Sequence, residues 1–258
     1  NQIVSLQLPA GIRAVFTDLD GTLTDGGLVR PSTLKALGDL QARGFWVVLV
    51  TGRPAGWADC LMRLWPLDAA IFENGAGYYL RRQERVELVP LAGDENGSVE
   101  RARLLEIFEK ARVQVPKARL ATDQPFRLFD FAIDHCEEEP HLTASEVETL
   151  LQVLRAEPSV VAKPSSTHIN YLFGNHTKRS GAEAILTTEG KRRGIKASEV
   201  VFIGDSLNDE PLFEFFEHCV GVANIAECWH QLSSRPKQIT KSHGGMGFEE
   251  LAHCLLTP

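Results

Sequence analysis

The sequence predicts an α/β fold, a Rossmann-like doubly wound parallel-sheet core into which a smaller α+β unit is inserted. Three observations predict it. Short unbroken apolar runs, at Ala14-Val15-Phe16, at residues 45–50 and at Val200-Val201-Phe202-Ile203, each lead into a polar cluster. Such runs are the pattern of strands covered on both faces. Stretches with helical spacing separate the early runs, and a β-α-β-α-β order implies parallel strands with right-handed crossovers. From about Val86 to Leu172 the pattern changes to alternating strands mixed with charged helices, which reads as an open antiparallel sheet with helices on one face. The expected division is a core of residues 1–85 and 173–258 and an inserted α+β unit of residues 86–172.

Each element has its own signal. Residues 31–43 read as a helix: Pro31 suits a first turn, Leu34, Leu37 and Leu40 recur at helical spacing, and Gly44 stands where a C-terminal cap belongs. A second helix spans about residues 55–64 and leads to the strand Ala69-Ala70-Ile71-Phe72. Asn74-Gly75 is a turn signal, and Tyr78-Tyr79-Leu80 reads as the second arm of a hairpin. In the inserted unit, residues 99–112 and 143–155 read as helices and residues 93–97 as a loop. Residues 126–133, Val160-Val161-Ala162 and residues 168–172 read as strands. A helix over residues 178–193, strands at residues 219–223 and 239–240, and a closing helix over residues 245–256 complete the chain.

The 258 residues, 43% of them hydrophobic, can bury a sizeable core. A formal net charge of −7 argues against nucleic acid or an anionic membrane surface as a partner. No apolar run approaches the roughly 20 residues needed to span a bilayer, and residues 1–8 lack the basic and apolar blocks of a signal peptide. The five cysteines form no C-x-x-C pair, so zinc is not expected, and buried reduced thiols in a cytoplasmic protein are.

Four stretches bear chemistry. Asp18-Leu19-Asp20-Gly21-Thr22 brings two carboxylates to a strand's C-terminal end, where ligands of parallel sheets bind. Their repulsion asks for a compensating charge, usually a divalent metal; D-x-D-G alone also suits a solvated acidic turn. Gly204-Asp205-Ser206-Leu207-Asn208-Asp209 follows another strand, and there Asp205 and Asp209 also suit a helix N-cap and a first-turn charge. Thr51-Gly52-Arg53 ends a third strand, where the Thr hydroxyl also suits the turn itself. Lys178 opens the helix that follows the inserted unit.

In this combination and order the stretches resemble the four motifs of the haloacid dehalogenase superfamily. The inserted unit resembles the α+β cap of one branch, which includes Cof-type phosphatases, sucrose-phosphate phosphatase, mannosyl-phosphoglycerate phosphatase and phosphomannomutase. The resemblance implies Asp18 as nucleophile, Asp20 as general acid and base, and Thr51 and Lys178 as catalytic partners of a phosphate. It implies Mg²⁺ held by Asp18, the Asp20 backbone carbonyl and Asp205, with Asn208 and Asp209 orienting the metal's waters and Lys178. Where the family usually has Lys-Gly, this chain has Lys178-Arg179-Ser180-Gly181, so Arg179 is a fallback cation. Gly52, Arg53, Glu73, Asn74, Arg127 and His168, with Asp130 and Asn170, are the expected groups facing phosphate or substrate.

The expected activity is Mg²⁺-dependent hydrolysis of a small phosphorylated metabolite, a sugar phosphate by analogy with the branch. The alternatives are a phosphomutase on the same site or a non-catalytic sensor of phosphate ligands. The intact Asp20 and Lys178 argue against the sensor.

Overall fold

The computed structural model describes residues 6–92, 98–165 and 167–257. The expected loop at residues 93–97 and the first five residues lie outside the described residues.

The chain begins with β1 (Ala14–Thr17), a hairpin of β2 (Thr24–Asp25) and β3 (Leu28–Val29), α1 (Pro31–Ala42), β4 (Trp46–Val50), α2 (Ala55–Leu64), β5 (Ala69–Phe72), β6 (Gly77–Arg82) and β7 (Arg85–Pro90). Next come α3 (Ser98–Gln114), β8 (Arg119–Leu120), β9 (Phe131–Asp134), α4 (Ala144–Ala156), β10 (Val160–Pro164) and β11 (His168–Phe173). Helix α5 (Lys178–Ile185) runs through a π turn (Leu186–Gly190) into α6 (Lys191–Arg193). Strand β12 (Val200–Gly204), α7 (Glu210–Phe215), β13 (His218–Gly221), β14 (Gln238–Ile239) and α8 (Gly244–Leu256) close the chain.

Eight strands form the large sheet in the order β14-β13-β12-β1-β4-β5-β6-β7. From β14 to β5 neighbours are parallel, and β6 and β7 add an antiparallel edge. Period-two alternation sends neighbouring residues to opposite faces. Val15, Val47, Leu49, Val201 and Ile203 pack with Leu37 and Leu40 of α1 and Phe248 and Leu251 of α8. Phe16, Trp46, Val48, Val50 and Phe202 pack on the other face with Ala182 and Ile185 of α5 and Leu212 and Phe213 of α7. The order reverses at β1: β4 lies on one side and β12 on the other. That switch point is where an open α/β sheet opens a crevice at its strand C-termini.

The second sheet is antiparallel, in the order β10-β11-β9-β8. One face is apolar: Phe131, Ile133, Ile169 and Tyr171 pack with Leu104 and Phe108 of α3 and Leu150 and Leu154 of α4. Thr143 caps α4 through a reciprocal bond pair with Glu146. The same alternation turns His168 and Asn170 of β11 to the opposite face.

Two expectations need correction. Residues 85–90 pair with β6 as the edge of the large sheet, so the expected boundary at 85/86 falls inside a core strand. Alternation in that stretch reflected an edge strand with one solvated face. The strand expected over residues 126–133 is confined to β9; residues 124–126 form a 3₁₀ turn, and residues 127–130 are irregular. The β2–β3 hairpin, turned by Gly26 and Gly27, is too short for hydrophobic patterning to reveal. Cys219 is buried, whereas Cys60 is exposed and Cys136, Cys228 and Cys254 are half-buried. Among the described residues no helix is long and apolar enough to cross a membrane.

Candidate active site

Strand β1 delivers Asp18, and β12 delivers Asp205, to the same rim of the sheet. The Asp18 amide donates to the Ile203 carbonyl at 2.9 Å, which continues the β1–β12 ladder one residue past the strand. One carboxylate oxygen each from Asp18, Asp205 and Asp209 lies within 4.8 Å of the others.

Lys178 enters this cluster from α5. Its ammonium donates to Asp18 Oδ1 at 2.6 Å, Asp209 Oδ1 at 2.7 Å and Asn208 Oδ1 at 3.1 Å. The helix start is fixed by Thr177, whose hydroxyl accepts the Ser180 amide while the Ser180 hydroxyl accepts the Thr177 amide. The departure from Lys-Gly leaves the Lys178 ammonium in contact with Asp18, Asn208 and Asp209. Arg179 points elsewhere, to Glu183, Glu214 and the Phe215 ring.

Asp209 is engaged at both carboxylate oxygens. Its Oδ1 takes Lys178, and its Oδ2 takes the amides of Asp205 and Ser206 at 3.0 and 3.2 Å. It positions the lysine and the Asp205 loop. Asp205 is held by the Thr22 hydroxyl at 3.0 Å and by the Asn224 amide at 2.9 Å; Asn224 also donates to the Gly21 carbonyl.

Burial drives the electrostatics. Desolvation raises Asp18 well above its ordinary value, against the pull of Lys178, and Asp209, Asp205 and Asp20 add to the rise. Desolvation, helped by Asp209, pushes Asp205 up to about 7. Burial would lower the Lys178 pKa, but Asp18 and Asp209 outweigh it and hold the lysine charged. Fully ionised, three carboxylates against one ammonium leave two negative charges uncompensated, the charge of one divalent cation. The donors are all hard oxygens, which suits Mg²⁺ or a similar ion. Asp18 and Asp205 keep acceptor capacity for it.

The Asp20 side chain lies apart from this cluster. Arg53 grips it in a two-pronged pair, Nε to Oδ2 at 2.9 Å and Nη2 to Oδ1 at 3.0 Å. Thr51 is fully buried, and its hydroxyl accepts the Arg53 amide at 3.0 Å. Arg53 also approaches Glu137 at 3.5 Å, and Glu137 bonds His168 Nε2 at 2.7 Å.

A cleft of about 580 Å³ lies between these groups and the polar face of the small sheet. Asp18, Asp20, Gly52, Arg53, Asn74, Arg127, His168, Asp205 and Asn208 line it, as does Asn170. Glu73 does not. It is fully buried, and its carboxylate accepts the amides of Ala55, Leu128, Phe129 and Asp130. Asp130 is also buried, between Arg127 and Asn170. Turn chemistry marked Glu73-Asn74-Gly75 correctly, but nothing in the local sequence says which side chain turns inward. Asn224 went unrecognised. It follows β13, another parallel strand ending on this rim, and that placement was the available signal.

The arrangement matches known proteins along most of its length. A phosphoglycolate phosphatase of Haloarcula marismortui is 26% identical over 238 residues, 92% of this chain and 94% of the relative. A solved Thermoplasma acidophilum structure superposes with a TM-score of 0.75 at 17% identity, covering 95% of this chain and 99% of that one. The sucrose-phosphatase of Synechocystis, solved with sucrose and phosphate, gives a TM-score of 0.63 at 17% identity over 95% of this chain and 98% of that one. The profile of haloacid dehalogenase-like hydrolases matches residues 15–88 and 91–243, and the chain belongs to that family.

Proposed function

We propose that the chain is a divalent-cation-dependent phosphatase that hydrolyses a small phosphorylated metabolite through an aspartyl phosphate on Asp18. The observation that carries this is the buried Lys178–Asp18 pair inside an acidic cluster two charges short of neutrality. A carboxylate kept in contact with a fixed ammonium beside a cation site is arranged to approach an anionic phosphate.

Asp18 attacks phosphorus; its Oδ–P bond forms as the bond to the leaving oxygen breaks, and Asp20 gives that oxygen a proton. Asp20 then takes a proton from water, the water oxygen attacks phosphorus, and the Asp18–phosphate bond breaks to release inorganic phosphate. Arg53 holds the Asp20 carboxylate in place with its two-pronged pair. Phosphate oxygens arriving at Arg53 compete for its guanidinium and release Asp20 toward the leaving oxygen. Lys178 neutralises the charge that gathers between Asp18 and the phosphate, and the Thr51 hydroxyl supports the loop that meets it. Asp18, Asp205 and the Asp20 carbonyl would hold Mg²⁺, which when bound neutralises phosphate charge and orients it for in-line displacement.

The cleft wall opposite offers an amide, hydroxyls and an imidazole, from Ser165, Thr167, His168 and Asn170. Such a wall suits a hydroxylated ligand, and a sugar phosphate is the substrate class we favour. The cysteine usage fits a cytoplasmic setting.

Phosphate release from p-nitrophenyl phosphate, with Mg²⁺ and with a chelator, tests the class. Turnover should require the metal, and Asp18→Asn should abolish it while the far-ultraviolet circular dichroism stays that of the wild type. Release at near wild-type rate from Asp18→Asn would refute the nucleophile. A panel of sugar phosphates, phosphorylated acids and nucleotides then identifies the substrate.

A further inference from the structure

Glu73 directly follows β5, yet its carboxylate reaches into the segment that joins the 3₁₀ turn of residues 124–126 to β9. Oε1 accepts the amides of Ala55 at 2.9 Å and Leu128 at 2.8 Å; Oε2 accepts those of Phe129 at 2.7 Å and Asp130 at 2.9 Å. Glu73 adopts a left-handed backbone, φ 45°, to make this reach. That conformation is uncommon for a residue with a side chain and persists where surrounding bonds enforce it. The carbonyls of Arg127 and Leu128 face the other way and accept Arg101 of α3. The irregular segment therefore satisfies its amides on the large sheet's side and its carbonyls on the small sheet's side. Phe129 completes the joint by stacking on Phe72, ring centroids 6.2 Å apart.

The segment bears one cleft group, Arg127, at its start and the support of another, Asn170, at its end. Arg127 is buried between Asp123 and Asp130 and donates toward the Gly52 carbonyl at 3.4 Å. The Asp130 side chain, whose amide Glu73 holds, also accepts Asn170 Nδ2 at 3.0 Å. One carboxylate thus fixes the start of α2, just after the Thr51-Gly52-Arg53 loop, and the wall that presents Arg127 and Asn170.

We infer that Glu73 is a positioning residue, which sets the wall carrying Arg127 and Asn170 at a fixed height above Asp18 and so governs affinity for the organic part of the substrate. The inference rests on the phosphatase reading for its kinetic arm alone. A merely structural anchor would change stability. A positioning residue also separates affinity for a whole phosphoester from affinity for bare phosphate, which meets only the floor around Asp18.

Glu73→Gln tests it, because Gln keeps the shape but turns an NH₂ group toward backbone amides. Residue-resolved hydrogen exchange should show Leu128, Phe129 and Asp130 exchanging about 100-fold faster, with Ile133 and Ile169 little changed. The KM for p-nitrophenyl phosphate should rise about fivefold or more, while the inhibition constant of inorganic phosphate stays within about twofold. Unchanged protection of the three amides overturns the inference. Lost protection with an unchanged ratio of the two constants overturns it also, leaving Glu73 an anchor without effect on the site. If the Gln variant does not fold, Glu73→Asp, which keeps a carboxylate one methylene short, should show the same split at about twofold or more, and no split overturns the inference. If the wild type binds p-nitrophenyl phosphate without hydrolysing it, the phosphatase reading falls, and the dissociation constant replaces KM in the same comparison.

Discussion

Lys178 and Asp18 stand 160 positions apart in sequence and meet at 2.6 Å, both buried. Removing the ammonium leaves Asp18, Asp205 and Asp209 facing one another with no fixed cation. For Lys178→Met the turnover number should fall by about 10²-fold or more. Breaking a buried pair from one side costs about 3–5 kcal/mol when the orphaned charge stays ionised. Here the carboxylates can take up protons instead, so the loss of thermal stability should be larger at pH 8 than at pH 5.5. Calorimetry at the two pH values checks the order, and equal losses would show that the cluster does not depend on Lys178 for its charge balance.

The raised carboxyls set a pH dependence for metal binding. Burial holds Asp18 well above its ordinary value and Asp205 at about 7. In an unfolded chain both titrate near about 4. Between those values the folded protein binds more protons than the unfolded one, so these two groups lose stability as pH rises through the window. A divalent cation that needs the ionised forms offsets the loss, and its binding expels protons. The rise in melting temperature on adding Mg²⁺ should therefore be larger at pH 7.5 than at pH 5.5. A Mg²⁺-induced rise of the same size at both would place the ion away from Asp18 and Asp205.

How much of this was legible beforehand depends on the range of the interaction. The parallel core could be read because β1, β4 and β12 are unbroken apolar runs, and the site because Asp18, Thr51 and Asp205 each follow such a run. The inward turn of Glu73 could not be read, since three of its four partners lie 55 to 57 positions away and all four are backbone amides, which carry no side-chain signature. For the same reason the β7 edge strand passed for part of the inserted unit: alternation reports one solvated face but not which sheet owns the strand. Asn224 was missed because its role depends on where β13 ends relative to Asp205, a relation of topology rather than motif.

Asn224 ties Asp205 Oδ2 to the Gly21 carbonyl and itself accepts the Gly244 amide at 3.1 Å. A side chain that orients a metal ligand without touching the metal typically alters affinity about 10–100-fold. Asn224→Ala should raise the Mg²⁺ concentration for half-maximal activity within that range, with kcat at saturating Mg²⁺ reduced less than the affinity. Titration of activity against free Mg²⁺ measures both. A fall in kcat with an unchanged Mg²⁺ requirement would mean that Asn224 acts through Gly21 and the Asp20 loop instead.

Gly75 and Gly44 separate backbone strain from contact. Both adopt positive φ, 101° and 87°. A Cβ on Gly44 meets nothing within 4 Å, whereas one on Gly75 would lie 2.1 Å from the Thr177 carbonyl oxygen, at the start of the helix that carries Lys178. Gly44→Ala should cost about 1 kcal/mol, the left-handed strain alone, and leave kcat as it was. Gly75→Ala must also push the N-terminus of α5 away from the sheet, because the obstructing atom is backbone and cannot rotate aside. Its stability should fall by about 2 kcal/mol or more. Its kcat per folded molecule should fall as well, because the shift moves Lys178 Nζ out of hydrogen-bonding range of Asp18 and Asp209. Denaturant unfolding together with kinetics well below the midpoint resolves the two effects. If Gly75→Ala lost stability but kept full turnover, the lysine's position would be set by its carboxylate partners and not by the docking of its helix.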